Sequence, residues 1–271
     1  MVKIDKNTGE SFVKILEIMS ALRDPKTGCD WDKDQDSNSI KSYCIEEAYE
    51  VVEAIENDDN RALCEELGDL LFQVIFHTEI HNEKGNFNII DVIDNLSEKL
   101  IRRHPHVFEK DSNTNSKKQI EKNWANIKQQ ERIDKGNTGM LDDIPKNFPA
   151  MLRSLKLQKR ASENGFDWKN PNETFKKIEE EKQELEIALI EQENEEIEEE
   201  IGDLIFSVIN LSRKLKIDPE NALRKTNNKF SVRINYIEKE LQKENKKFNQ
   251  SNLIELERLW NKAKIDVKQV K

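Results

Sequence analysis

Glu47 and Glu50, then Glu66 and Asp69, form two spaced acid pairs, Glu-x-x-Glu and Glu-x-x-Asp. Glu181, Glu184, Glu200 and Asp203 repeat the pattern at one offset, 134 residues, as 181 − 47 and 203 − 69 show. On a helix an i, i+3 pair lies on one face, about 4.5 Å apart along the axis. A polar break separates the pairs in each copy, ENDDN at 56–60 and EQEN at 191–194. If each break turns an antiparallel helix hairpin, residue 58 is the midpoint of 50 with 66 and of 47 with 69. Residue 192 is likewise the midpoint of 184 with 200 and of 181 with 203. The four acids of a copy then face one another at matching heights. Carboxylates aimed at one spot repel unless a cation sits among them. An all-oxygen set suits Mg²⁺, with Mn²⁺ as the alternative, rather than Zn²⁺, and Mg²⁺ completes its shell with water and phosphate oxygens. In a chain with 54 acids a single such pair is an ordinary solvated face; mirror symmetry repeated at one offset is not.

The elements that carry these acids must be helices. Apolar residues make up 35% and charged residues 36%, which suits long helices with one apolar stripe. With 8 Gly and 6 Pro in 271 residues, the chain lacks the punctuation of a many-stranded β protein. An all-α fold follows. Gly68 and Gly202 each stand one residue before the last acid. Mid-helix glycine costs about 1 kcal/mol relative to alanine, which predicts close approach of a helix or ligand there. The repeat extends beyond the acids, with GCDW at 28–31 and GFDW at 165–168, so the chain is a duplication of one helical domain. The boundaries are placed at 1–118 for the N-terminal domain, 119–150 for a helix and linker, and 151–271 for the C-terminal domain. Within the junction, 110–118 reads as a mobile loop, 119–132 as a helix and 135–149 as a linker.

The formal charge of −10 argues against a nucleic-acid polymer as partner, and an acidic chain that handles phosphates needs a metal to mediate. Cys29, Cys44 and Cys64 lack metal-ligand spacing and read as reduced thiols of a cytoplasmic protein. No apolar run approaches the roughly 18 residues of a membrane span, and the N-terminal residues do not read as a signal peptide.

EEAYE (46–50) before ELGDLLF (66–72), and EEKQE (180–184) before EIGDLIF (200–206), resemble the MazG family, whose motif is EExxE, a spacer, then ExxD. The segments at 29–35, 98–108, 157–168 and 222–230 resemble it too, so the likeness covers nearly the whole chain in the two-domain form. The resemblance implies Mg²⁺-dependent hydrolysis of nucleoside triphosphates, ATP included, to a monophosphate and pyrophosphate. It implies Glu181, Glu184, Glu200 and Asp203 as metal ligands, with Glu47, Glu50, Glu66 and Asp69 as their first-copy equivalents. It also implies a homodimer in which helices of partner copies complete each site. A water held at the site would attack in line. Glu180 and Glu46, just outside the ligand sets, are candidates for the base.

Aligning EKLIRRH (98–104) with NKFSVRI (228–234) pairs Ser97 with Asn227, Lys99 with Lys229 and Arg103 with Arg233. Only the second copy resembles the family's N-x-K-F pattern, and in two-domain relatives the C-terminal copy is the active one. Val232 departs from relatives that have Arg there. The expected substrate-binding residues are Lys177, Asn227, Lys229, Arg233, Trp260 and Trp168. For Trp168 a core role weighs about as heavily, and for Lys177 a solvated one. His104, His106, Asp218 and Pro219 read as structural. Two other readings share these residues: a narrower pyrophosphatase of the same fold, dUTPase-like or phosphoribosyl-ATP pyrophosphatase-like, and a non-enzymatic helical scaffold.

Overall fold

The computed structural model describes residues 6–108, 116–134, 136, 139–191 and 194–266. Among them every regular element is helical and no strand occurs, as the composition requires. The chain divides into two compact units, Met1–Lys128 and Gln129–Lys271, and the division falls inside helix α8 (Lys117–Asp134).

The first unit holds α1 (Lys6–Leu22), α2 (Asp30–Asp34), α3 (Ser37–Ile40), α4 (Tyr43–Glu56), α5 (Asn60–Glu83), α6 (Ile89–Arg103) and α7 (Pro105–Phe108). Its core is Met19 from α1, Ile40 from α3, and Ile75, Phe76 and Ile80 from α5. The α5 spacing puts those three on one stripe, with Phe72 beside it. Trp31 lies tilted against Phe76, ring centres 6.5 Å apart. Arg23 closes the end of this core: it donates to the Asp32 carbonyl and forks onto Glu83.

The α4–α5 hairpin is made by its polar break. Asp58 adopts φ 54°, a left-handed conformation that Asp and Asn tolerate better than most residues. The Asp59 amide then donates to the Ala54 carbonyl at 3.1 Å, which closes α4. The Asp59 carboxylate accepts from the Arg61 and Ala62 amides, each at 3.0 Å, which opens α5. Residue 58, the expected hairpin midpoint, is this turn residue.

The second unit holds α9 (Ala150–Glu163), α10 (Pro171–Glu191), α11 (Asn194–Lys214), α12 (Pro219–Lys243), a 3₁₀ turn (Phe248–Gln250) and α13 (Leu253–Asp266). Here α10 packs chiefly against α11, again as a hairpin, and the expected midpoint, residue 192, lies outside the described residues. The buried amide of Gln158 on α9 donates to the Phe206 carbonyl on α11 at 2.8 Å. Ile237, Leu241 and Leu259 form a separate core between α12 and α13, flanked by Trp260. Asp218 caps α12 by accepting from the Asn221 amide at 3.1 Å, with Pro219 at its first turn, as expected. His104 bonds the Leu100 carbonyl at 2.7 Å and lies beside His106, in keeping with structural roles.

The expected helix at 119–132 is α8, and most of the expected loop at 110–118 lies outside the described residues. The later part of the expected linker, 139–149, is not loose. Arg132 donates to the Gly139 and Met140 carbonyls at 3.0 Å, and Ile144 is buried. Asp143 takes a fork from Arg160 at 2.9 and 3.1 Å, and Arg132 Nε lies 2.9 Å away as an ion pair without hydrogen-bond alignment. Burial alone would raise the Asp143 carboxyl, but the two guanidinium groups outweigh it and hold the carboxyl below its ordinary value. A carboxylate lowered in this way stabilises the fold above its unfolded pKa and loses that contribution as pH falls through its folded value. Asp143→Asn is therefore expected to cost about 1–3 kcal/mol at pH 7. In thermal melts its deficit against the wild type should shrink as the pH is taken below about 4.

Candidate metal centre

Each hairpin brings its acids together. In the first unit, carboxylate oxygens of Glu47, Glu66 and Asp69 lie within 4.8 Å of one another. In the second, those of Glu181, Glu184 and Glu200 do. The fourth acid stands at the margin of each set: Glu50 bonds to Glu47 and presses on Glu66, while Asp203 presses on Glu200. Opposite donors around an octahedral Mg²⁺ are about 4.2 Å apart, so small side-chain movements would close either set.

The electrostatics are those of crowded anions. Burial first, then Glu50 and Asp69, raise the Glu47 carboxyl, and the same causes raise Glu66. A carboxyl–carboxyl bond from Glu181 raises Glu184, and burial together with Asp203 and Glu181 raises Glu200. Glu181 itself is buried, at 4% exposure. Glu200 Oε2 is buried with no hydrogen-bond partner, an orphaned acceptor inside the cluster. Such an acceptor is the feature a bound cation would satisfy. The donor chemistry fits a hard divalent cation in both units.

The two clusters also differ in a neighbouring side chain. Lys177 sits one turn before Glu181 on α10 and pairs with Glu180 at 2.8 Å and with Glu181 at 2.9 Å. Tyr43 occupies the corresponding place in the first copy, 134 residues earlier. The expectation that Lys177 meets a phosphate did not foresee its pairing with an expected ligand, although its Lys-to-Glu i, i+4 spacing is legible in the sequence. Glu46 is exposed on α4.

The other expected substrate residues fall in two places. Arg233 on α12 lies over the Trp260 ring on α13 at 5.1 Å, and Phe230 packs on the same ring at 5.5 Å. Phe230 was not among the expected site residues; its place in the N-x-K-F run was the available signal. Asn227 and Lys229 occupy exposed positions of α12. Trp168 stands apart, edge-on to Phe166, with its carbonyl taken by Lys214 near the end of α11. Glu181 is ten residues into α10, about 15 Å along the axis from the helix start that Trp168 precedes.

At Gly68 and Gly202 no helix of the same unit makes the expected close approach: a Cβ built at either meets no atom within 4 Å, so both glycines face open space within their units.

The family model described as the MazG nucleotide pyrophosphohydrolase domain matches this chain twice, over residues 35–108 and 169–237. Each match contains one complete carboxylate hairpin. The chain belongs to the MazG family. It is 45% identical over 259 residues to the nucleoside triphosphate pyrophosphohydrolase/pyrophosphatase MazG of Thermotoga maritima, covering 96% of this chain and 98% of that one. It is 40% identical over 255 residues to the nucleoside triphosphate pyrophosphohydrolase of Escherichia coli K12, covering 93% and 96%. A Bacillus subtilis protein, YabN, is 40% identical over 264 residues, covering 97% of this chain and 53% of its own length. The MazG motif is thus present in duplicate, with acids from both halves of each motif meeting across a hairpin.

Glutamine mimics a protonated carboxyl, so Glu200→Gln relieves repulsion in the metal-free protein. In EDTA its thermal midpoint is expected above that of the wild type. Because the raised carboxyls bind protons more readily folded than unfolded, this advantage should fade as the pH falls through their native values towards about 4.3. With saturating Mg²⁺ the order should reverse, the wild type gaining the larger stabilisation.

Proposed function

We propose that this chain is a cytoplasmic nucleoside triphosphate pyrophosphohydrolase that cleaves NTPs and dNTPs, ATP among them, to a monophosphate and pyrophosphate with Mg²⁺. The observation that carries the reading is the duplicated carboxylate hairpin in a chain so similar to enzymes bearing that name. Family membership places it among hydrolases of acid anhydrides.

The catalytic centre in this reading is the C-terminal one, with Glu181, Glu184, Glu200 and Asp203 as the ligand set. A divalent cation held there supplies Lewis-acid neutralisation of the triphosphate charge. Lys177 adds a mobile positive charge at the same spot. Arg233, positioned against Trp260, offers a guanidinium fork for phosphate, and Trp260 a ring face for a base. Asn227 contributes an amide, able to donate and accept, where the first copy has Ser97. Glu180, held by Lys177 beside the ligand set, is our candidate to take the proton of the attacking water. The domains are proposed as 1–118, 119–150 and 151–271.

A homodimer belongs to the same proposal. Ile90, Ile93, Leu96, Leu100 and Ile101 of α6 are all exposed, and α6 contributes no buried residue. Ile201, Ile205 and Phe206 on α11 are exposed as well. Apolar stripes of this extent call for a partner, and a second copy of the same chain supplies a matching one. Light scattering at micromolar concentration should give twice the mass of the 31.8 kDa chain; a monomer would contradict the proposal.

The activity test is an NTP and dNTP panel assayed for pyrophosphate against orthophosphate. Pyrophosphate should be the first product, and excess EDTA should abolish its release. Glu184→Ala is expected to lower turnover by roughly a hundredfold to a thousandfold, equivalent to about 3–4 kcal/mol of transition-state stabilisation, and Glu50→Ala far less. Full activity in EDTA, or loss confined to Glu50→Ala, would reject the reading or reverse the assignment of copies.

A further inference from the structure

Both clusters hold carboxylates within ligand distance of one another, and among the described residues only the second has an ammonium group bonded to one of its members. Lys177 Nζ lies 2.9 Å from Glu181 Oε1, and Glu181 is the most buried acid of the set. A cation coordinated by that carboxylate would sit about 2.1 Å from its oxygen. It would then lie a few ångströms from the ammonium, where two positive charges repel strongly in a partly buried place. Lysine carries its charge on a flexible four-carbon stem and can move without disturbing α10. Once displaced from Glu181, it retains Glu180 and can turn to the phosphates of a triphosphate. Tyr43, at the corresponding place of the first copy, carries no positive charge and cannot compete for Glu47.

We infer that Lys177 and the divalent cation compete for Glu181, so that cation and triphosphate bind the second cluster cooperatively, while the first cluster takes a cation without this coupling. The inference rests on the reading of the second cluster as the metal centre of a pyrophosphohydrolase. By linkage the coupling is reciprocal: the cation frees Lys177 for phosphate, and phosphate draws Lys177 away from the cation's ligand. The consequence is an order of events in which the second site holds its cation firmly only with substrate present.

The test is Mn²⁺ binding by calorimetry to the full chain, with the first cluster disabled as Glu47→Gln/Glu66→Gln so that the second alone reports. An α,β-methylene triphosphate, whose α–β link resists cleavage, serves as the second ligand. The analogue is expected to tighten Mn²⁺ binding by about tenfold or more. Lys177→Gln should tighten Mn²⁺ binding in the absence of analogue by about tenfold and cut the analogue's effect to about threefold or less. Lys177→Met should repeat both results. Unchanged or weaker Mn²⁺ binding in both variants, with the analogue's effect intact, overturns the inference while leaving the metal-dependent pyrophosphate assay free to support the enzyme reading. No Mn²⁺ binding at the second cluster under any condition rejects the metal-centre reading and the inference with it.

Discussion

Repulsion among carboxylates held at one height on paired helices governs what the rest of each unit must do. Left alone, the acids would splay the hairpins apart, so something has to hold α4 against α5 and α10 against α11. In the first hairpin the turn does part of that: the left-handed Asp58 and the Asp59 cap fix where α5 starts relative to where α4 ends. The core does the remainder, with Phe72, Ile75, Phe76 and Ile80 of α5 packing together with Met19 of α1 and Ile40 of α3. Raised carboxyls at Glu47, Glu66, Glu184 and Glu200 record the residual strain in electrostatic form. A site that is costly without a cation is by the same measure favourable with one.

Much of this was legible in the sequence because helical spacing and hairpin symmetry are arithmetic properties. The acids at 47, 50, 66 and 69 predict their own meeting once a turn is placed at 58, and that turn is where the polar run puts it. Glycine at 68 and 202 was read less well. Glycine inside a helix has two explanations, close approach or none, and the spacing of the acids does not distinguish them. The tethering of the segment 139–149 is hard to read from sequence for a related reason. Gly, Pro and Asn look loose in a string, but the Arg132 and Arg160 side chains that tie down Gly139, Met140 and Asp143 come from positions 7 to 20 residues away along the chain.

Burial tells the other half. Fully buried apolar residues are few in both units, while exposed Ile, Leu and Phe are spread along α4, α5, α6, α11 and α12. Burying roughly 100 Å² of such side chain releases about 2.5 kcal/mol, so several uncovered residues per helix leave a large stabilisation unclaimed within one chain. Composition foreshadowed this, since 35% apolar residues cannot fill the interior of two bundles and also coat their faces.

Duplication explains why the two clusters can diverge while both keep their acids. If catalysis belongs to the second cluster, as proposed, the first is released from substrate contacts but not from the packing demands of its hairpin. Losing an acid from the first cluster would then cost little chemistry, yet the α4–α5 turn and the α5 stripe belong to the fold. The fold alone does not call for these acids, and burial and repulsion raise the Glu47 and Glu66 carboxyls in the metal-free unit. A cation bound there, without competition from a lysine and without need of a phosphate, would offset that cost and stabilise the hairpin continuously. On that argument the exchange of Lys for Tyr between positions 177 and 43 separates two uses of one motif. In the proposed reading a cation in the first unit would serve the fold, and one in the second would arrive with the molecule to be cleaved.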